Sequence, residues 1–239
     1  MANRYTKIIK SPPESEICAA ILSAGIGKKI RSNEPRSLLK IGPSTLVDHQ
    51  IKMIDNAFRS SDILLVVGIG SEKIIRKTER RIRIIENQMY ESTNTFESLR
   101  LSVINNTKAN ILFMHGDLYF NQQTLSSMRY DKSFLIVDTK NRISTSEVGI
   151  TVVNDKATTL AYDLPTKWAQ IAFLTGKEYE ILESIFLKSS SAHKKMLSFE
   201  IINSIIERGG SFVCLEPEDM QLLEIDSMKD ISYENFNIQ

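Results

Sequence analysis

The sequence predicts an α/β fold, a mixed sheet flanked by helices with a small strand-rich extension. Strand-like apolar runs alternate with helix-like segments through the first half, the pattern of a mostly parallel sheet covered on its faces. The first run, Ile17 to Leu22, reads as a buried strand and breaks at once into a loop of small residues. In the second half, short strand-like runs follow one another with few helices between them, as in an antiparallel region laid over a site. A length of 239 residues, 42% of them hydrophobic, suits one such domain. It is drawn here as residues 17–239 behind a polar tail, 1–16, that carries Pro12-Pro13.

The elements follow in order. Thr45 to Phe58 reads as a helix with an apolar stripe at Val47, Ile51, Ile54 and Phe58, and Thr45 as its cap. Asp62 to Val67 is a fully apolar strand closed by Gly68-Ile69-Gly70, and Glu72 to Arg81 a charged, solvated helix. Arg83 to Glu86 is a short strand. Thr95 to Asn105 is a helix packing through Phe96, Leu99 and Val103, and Ala109 to Met114 is the next buried strand. Ser133 to Val137, Gly149 to Val153, Thr158 to Ala161 and Gln170 to Leu174 are the short strands of the second half. Glu178 to Leu187 and Ser198 to Glu207 are helical, with a polar loop between them. Phe212 to Leu215 and Leu222 to Ile225 are strands, and Met228 to Phe236 a terminal helix.

Composition excludes several classes. A formal charge of +1 gives no electrostatic reason to expect nucleic acid or an anionic membrane as partner. No apolar run approaches the ~18 residues a membrane span requires, and the N-terminus lacks an apolar signal core, so a cytoplasmic location is expected. Cys18 and Cys214 lie in apolar runs and read as buried free thiols. His49, His115 and His193 are too scattered for a metal cluster or a triad.

The chemistry concentrates in Leu22-Ser23-Ala24-Gly25-Ile26-Gly27-Lys28-Lys29, followed by Pro35-Arg36-Ser37-Leu38. Glycines let a backbone approach phosphate and aim its N–H groups at the oxygens, and cations supply the counter-charge. A dinucleotide-binding turn needs a third glycine where Ile30 stands, and a Walker loop needs four residues before its Gly-Lys where this loop has one. Asp117 ends the strand that stops at His115-Gly116, and ligands of open α/β sheets sit outside such carboxyl ends. A plain Asx turn is the alternative for Gly116-Asp117.

The loop resembles the signature of the nucleotidyltransferase superfamily, Leu-Ala-Ala-Gly-x-Gly-x-Arg followed by Pro-Lys-x-Leu. Leu22, Ala24, Gly25, Gly27, Pro35 and Leu38 match it, Ser23 replaces an alanine, and Lys29 and Arg36 exchange the arginine and the lysine. Gly116-Asp117-Leu118-Tyr119-Phe120 is similar to the superfamily's Gly-Asp-x-x-Phe, whose aspartate holds magnesium. Glu224-Ile225-Asp226-Ser227 resembles a C-terminal segment that implies Asp226 as second ligand, with Glu224 as a further carboxylate nearby. Asn87, Tyr90, Thr93, Asn94, Ser98 and Leu99 match the Asn-x-x-Tyr-x-x-Thr-Asn-Asn-x-x-Ser-Leu segment of the phosphocholine cytidylyltransferase-like branch. The resemblance implies a Rossmann-like, GT-A-like sheet.

It also implies a magnesium-dependent enzyme that joins CTP to a phosphorylated small alcohol or phosphonate. Mg2+ would sit on Asp117 and Asp226, Lys29 and Arg36 would face the triphosphate, Leu22 to Gly27 would hold the nucleotide, and Tyr90, Thr93, Asn94 and Ser98 would meet its cytidine end. A homodimer stays open. The alternatives are a sugar-1-phosphate nucleotidyltransferase and a nucleotide-binding protein of weak activity, the latter because of the exchanged cations. For the acceptor, Tyr162, Asp163, Trp168 and Tyr179 mix aromatic faces with a carboxylate, which suits a cationic head group. Plain packing of Trp168 and Tyr179 against the sheet is the other reading.

Overall fold

The computed structural model describes residues 16–25, 35–58, 62–78, 82–126, 130–141 and 143–225. Strand β1, Ile17–Ser23, is buried along its length. A short 3-10 turn at Arg36–Leu38 leads into the two-residue strands β2, Lys40–Ile41, and β3, Ser44–Thr45. Helix α1, Leu46–Ala57, starts where expected: the Thr45 hydroxyl accepts from the Asp48 N–H at 3.2 Å and donates to the Asp48 carboxylate at 2.6 Å. Strand β4, Asp62–Val67, helix α2, Ser71–Lys77, and strand β5, Arg83–Glu86, follow. The expected continuation of α2 through residues 79–81 lies outside the described residues.

Helix α3, Thr95–Ile104, precedes β6, Asn110–His115, and the three-residue strand β7, Leu118–Phe120. Then come α4, Gln123–Ser126, and strands β8, Phe134–Asp138, β9, Val148–Val153, β10, Lys156–Tyr162, and β11, Thr166–Leu174. Helices α5, Gly176–Leu187, and α6, Ser198–Glu207, are joined through a 3-10 segment at Ser191–Lys195. Strands β12, Val213–Leu215, and β13, Leu222–Glu224, complete the described chain, and the expected terminal helix at 228–236 lies outside it.

Nine strands form one mixed sheet in the order β5-β4-β1-β6-β11-β8-β12-β10-β9. The first four are parallel, and β11 enters antiparallel between β6 and β8. Ile171 to Leu174 of β11 are fully buried, which is why this strand joins the centre of the sheet and is not part of the extension. The β9–β10 hairpin forms the extension, and β9 curls back to pair with Thr166 and Lys167 at the start of β11.

Alternation along β1 divides the core. Ile17, Ala19 and Ile21 face the layer of α1 and α2, against Val47, Ile51, Ile54 and Ile74. Cys18, Ala20 and Leu22 face α3, α5 and α6, against Phe96, Leu99, Leu182 and Ile202. Both cysteines are free. Cys18 is buried, and burial pushes its thiol up to about 12. Cys214 is half-buried, short of the full burial expected, because β12 is only three residues long.

Candidate functional site

The carboxyl ends of β1 and β6 lie side by side, Leu22 paired with His115, so the loop after one and the turn after the other leave the sheet together. Beyond β1, Leu22, Ala24 and Gly25 form one wall of a cleft of about 210 Å³. The facing wall is Asn87 to Ser98, with Tyr90, Thr93, Asn94, Thr95 and Ser98 all lining it. The two walls approach closely because Gly68 lies beneath them: a Cβ there would stand 2.4 Å from the Ala24 carbonyl oxygen and 2.8 Å from Tyr90. Two segments far apart in sequence thus line one cleft.

Individual groups divide between lining and building this cleft. Asn87 is buried. Its amide donates to the Thr93 hydroxyl at 3.1 Å and its carbonyl accepts from the Met89 N–H at 3.0 Å, which shapes the 87–94 turn. The Thr93 hydroxyl donates in turn to the Met89 carbonyl. Asn94 donates its backbone N–H to Lys194 O and its side-chain amide to Lys195 O, and the Phe96 N–H donates to Met196 O. The start of α3 is therefore capped by residues 194–196. Ser98, the backbone of 24–25 and the Tyr90 hydroxyl with its partner Glu91 are further polar groups of the cleft wall.

Asp117 stands on the β6–β7 turn. Gly116 is required beside it, since its N–H donates to Leu22 O at 2.9 Å and an added Cβ would lie 2.6 Å from that of Ser23. Sequence reasoning missed Gln50, which braces this turn. Fully buried on α1, it donates its amide to His115 O and Leu118 O, each at 2.9 Å, on either side of Asp117. Adjacent His49 places Nε2 2.7 Å from Phe120 O and stacks on Tyr119 with ring centroids 4.2 Å apart. One Asp117 oxygen, Oδ2, accepts from Arg36 at 2.9 Å. The other, Oδ1, is buried with no hydrogen-bond partner among the described residues. A buried, negatively charged oxygen with no donor is a natural seat for a cation.

Strand β13 pairs antiparallel with β7, and the Ile225 N–H donates to Asp117 O at 2.7 Å. The chain therefore passes Asp117 one residue before Asp226. Asp226 itself, Gly27 and Lys29 lie outside the described residues. Arg36 and Asp117 are brought together, and Leu22, Ala24, Gly25, Tyr90, Thr93, Asn94 and Ser98 share the first cleft. Ser23 packs against Gly116, between the two groups.

A second cleft, also of about 210 Å³, opens beside Asp117. Glu147, Tyr162, Trp168, Gln170, Phe199 and Glu224 are among its walls. Trp168 is buried, gives its indole N–H to Ile171 O at 3.3 Å, and stands edge-on to His115. Tyr162 is 46% exposed and packs edge-on to Phe199, so it is the aromatic face open to a ligand. Tyr179 is not here: it sits in the core, its hydroxyl accepting from Asn106 at 2.8 Å. Asp163 occupies a left-handed turn with φ of 60° and is not among the lining residues.

The carboxylates come instead from Glu147, Glu224 and Asp117. Burial alone would raise Glu147, but an ion pair with Lys167 and the Ser144 N–H hold it below the usual carboxylate range. Gln170 adopts φ of 58° at a register shift in β11 and donates to Glu224 at 2.6 Å. A non-glycine residue kept in that conformation marks local strain, here used to aim an amide. His115 bonds Ser198 Oγ at 2.8 Å, and the Ser198 N–H donates to Thr95 Oγ1 at 2.7 Å. Desolvation pushes the imidazole down, outweighing the Asp117 charge and a Gln170 contact.

No protein-family model matches the chain. It is 30% identical over 105 residues to a choline-phosphate cytidylyltransferase of Streptococcus pneumoniae, a match spanning 42% of this chain and 44% of that relative. The CTP:phosphocholine cytidylyltransferase structure from the same organism superimposes with a TM-score of 0.75 at 21% identity, over 91% of this chain and 96% of that one. Over those 105 residues the chain is homologous to a nucleotidyltransferase. An inositol-1-phosphate CTP transferase from T. maritima shares the nucleotidyltransferase fold equally well, with a TM-score of 0.74 at 18% identity over 89% and 90% of the two chains. The curated match covers less than half of that relative's length, and the structural likeness carries the fold across nearly the whole chain. No described helix is long and apolar enough to cross a membrane.

Proposed function

We propose that the chain is a magnesium-dependent cytidylyltransferase that joins CTP to a phosphorylated small alcohol or phosphonate and releases pyrophosphate. One observation carries this reading: the Asp117 turn borders the second cleft and, through Gly116 against Ser23, abuts the 22–25 segment that walls the first, and its buried Oδ1 lacks a donor among the described residues. The first cleft takes the nucleotide, with the backbone of 24–25 against phosphate and Ser98 toward the base and ribose. The second takes the acceptor, its phosphate toward Asp117 and its far end toward Tyr162 and Glu147.

An acceptor phosphate oxygen attacks the α-phosphorus in line, the bond from that phosphorus to the β-phosphate oxygen breaks, and pyrophosphate departs. The attacking oxygen already carries charge, so no base is required, and the neutral His115 serves as wall between the clefts. Bound magnesium supplies neutralisation of the phosphate charge. Asp117, braced by Gln50, holds the ion together with Asp226, while Arg36 and Lys29 face the phosphates. Three carboxylates and one open aromatic ring in the second cleft favour an acceptor with a cationic head.

Pyrophosphate exchange into each of the four triphosphates in magnesium tests the reaction. CTP is expected to exchange fastest. A preference for UTP, GTP or ATP would move the chain toward the sugar-1-phosphate enzymes, and silence with all four would leave a nucleotide-binding protein.

A further inference from the structure

Arg36 and Asp117 lie 81 residues apart in sequence and form an ion pair at 2.9 Å, their side chains 18% and 19% exposed. Both backbones are held. The Arg36–Leu38 turn is closed by bonds from Leu38 N–H to Pro35 O and from Leu39 N–H to Arg36 O, and Ser37 and Leu38 are buried beneath it. The Asp117 turn is fastened by Gln50, by Gly116 to Leu22, and by Ile225. The movable part of this pair is the guanidinium on its flexible stem.

Charge then sets a conflict. The guanidinium on Oδ2 already meets the single negative charge of Asp117. A divalent ion placed on Oδ1 would stand a few ångströms from a like charge on Oδ2, in a half-desolvated site where such repulsion is poorly screened. A triphosphate removes the conflict, because its oxygens accept the guanidinium fork in bidentate fashion and carry enough negative charge for both cations.

We propose that Arg36 and a divalent cation are alternative partners of Asp117: the ion binds Asp117 tightly only when a triphosphate draws the guanidinium away. Metal and nucleotide therefore enter as one cooperative event, and by linkage each raises the affinity of the other. The proposal rests on the reading of Asp117 as a metal ligand.

The test is Mn2+ binding to the full chain, followed by the electron paramagnetic resonance signal of the free ion, with and without CTP. Wild type is expected to bind Mn2+ weakly alone and about tenfold or more tightly with CTP. Arg36→Ala should bind Mn2+ alone about tenfold more tightly than wild type and lose most of the gain from CTP. Arg36→Lys, which keeps the charge but not the fork, should change in the same direction by less, and serves if the alanine variant folds poorly. Equal or weaker binding of Mn2+ alone by both variants, with normal binding in CTP, would overturn the exchange and leave the metal site standing. Absence of Mn2+ binding in every form, CTP included, would overturn the metal reading and the exchange with it.

Discussion

The two clefts share a wall, His115–Ser198–Thr95, yet they are assembled differently. The first is made of two short continuous segments, 22–25 and 87–98, the second of them turned at 87–93 by its own local hydrogen bonds. The second draws one to three residues each from β6 and the turn after it, the start of β9 and the loop before it, β10, β11, the start of α6 and β13, and is tied together by an ion pair and a strained Gln170. A pocket built from local segments is held by their own turn chemistry. A pocket of scattered residues depends on the register of the whole sheet, and small changes in that register can alter its ligand.

The largest effect is expected where the clefts meet. Asp117→Asn keeps shape and removes charge, so turnover in a pyrophosphate-release assay should fall about 10³-fold, roughly 4 kcal/mol of transition-state stabilisation, with melting temperature little changed. Near wild-type turnover would separate Asp117 from the chemistry and dissolve the junction between the clefts.

Next comes the brace beneath that junction. Gln50→Leu strips the donor from two buried carbonyls, His115 O and Leu118 O, at a cost of about 3 kcal/mol, which lowers the melting temperature of a chain this size by roughly 10 °C. A thermal melt unchanged by the substitution would show that Gln50 holds nothing in place.

How much of this was legible in the sequence follows the same division. Thr45 with the Val47, Ile51, Ile54 stripe announced α1, and the glycine loop and the 87–99 segment announced the first cleft, because each works through spacing within a few residues. The run Leu222 to Ile225 marks β13, whereas β7, three residues long, is too short for periodicity, and nothing local tells that the two pair and bring Ile225 to Asp117. Gln50 looks like any polar helix residue until the β6–β7 turn is seen packed over it. Tyr179 shared aromatic character with Trp168 and Tyr162, but the first turn of α5 carries it into the core, where Asn106 bonds its hydroxyl. Glu147 and Gln170 carry no local signal, since only the curl of β9 onto β11 and the shift in β11 register bring them to the cleft.

Two substitutions sharpen the contrast between the clefts. Gln170→Gly relieves the left-handed backbone and deletes the bond to Glu224, so the acceptor KM should rise about tenfold while the CTP KM holds. Ser98→Ala should do the reverse, raising the CTP KM by about threefold to tenfold with the acceptor KM unchanged. Steady-state kinetics with each substrate varied in turn would read both, and a shift of both constants by either variant would mean that the clefts are not separate sites.

The smallest effect is one of pH. Burial pushes His49 below the ordinary histidine value, with its bond to Phe120 O opposing. Its contribution to stability is therefore complete above that ordinary value and is lost as pH falls through the lowered one, because the unfolded chain takes up the proton first. The melting temperature of wild type should drop between pH 7 and pH 5, by more than that of His49→Gln. Parallel curves would show that His49 is not stabilised as the neutral ring.

The central claim is that one cleft delivers a nucleotide and the other a phosphorylated acceptor to the same Asp117. Phosphorus NMR of the chain with CTP, magnesium and acceptors bearing cationic, neutral or acidic head groups tests it most directly. The account predicts a new pair of coupled diphosphate resonances growing together with pyrophosphate, fastest with a cationic acceptor. Hydrolysis of CTP to its diphosphate, or an unchanged spectrum with every acceptor, would contradict it.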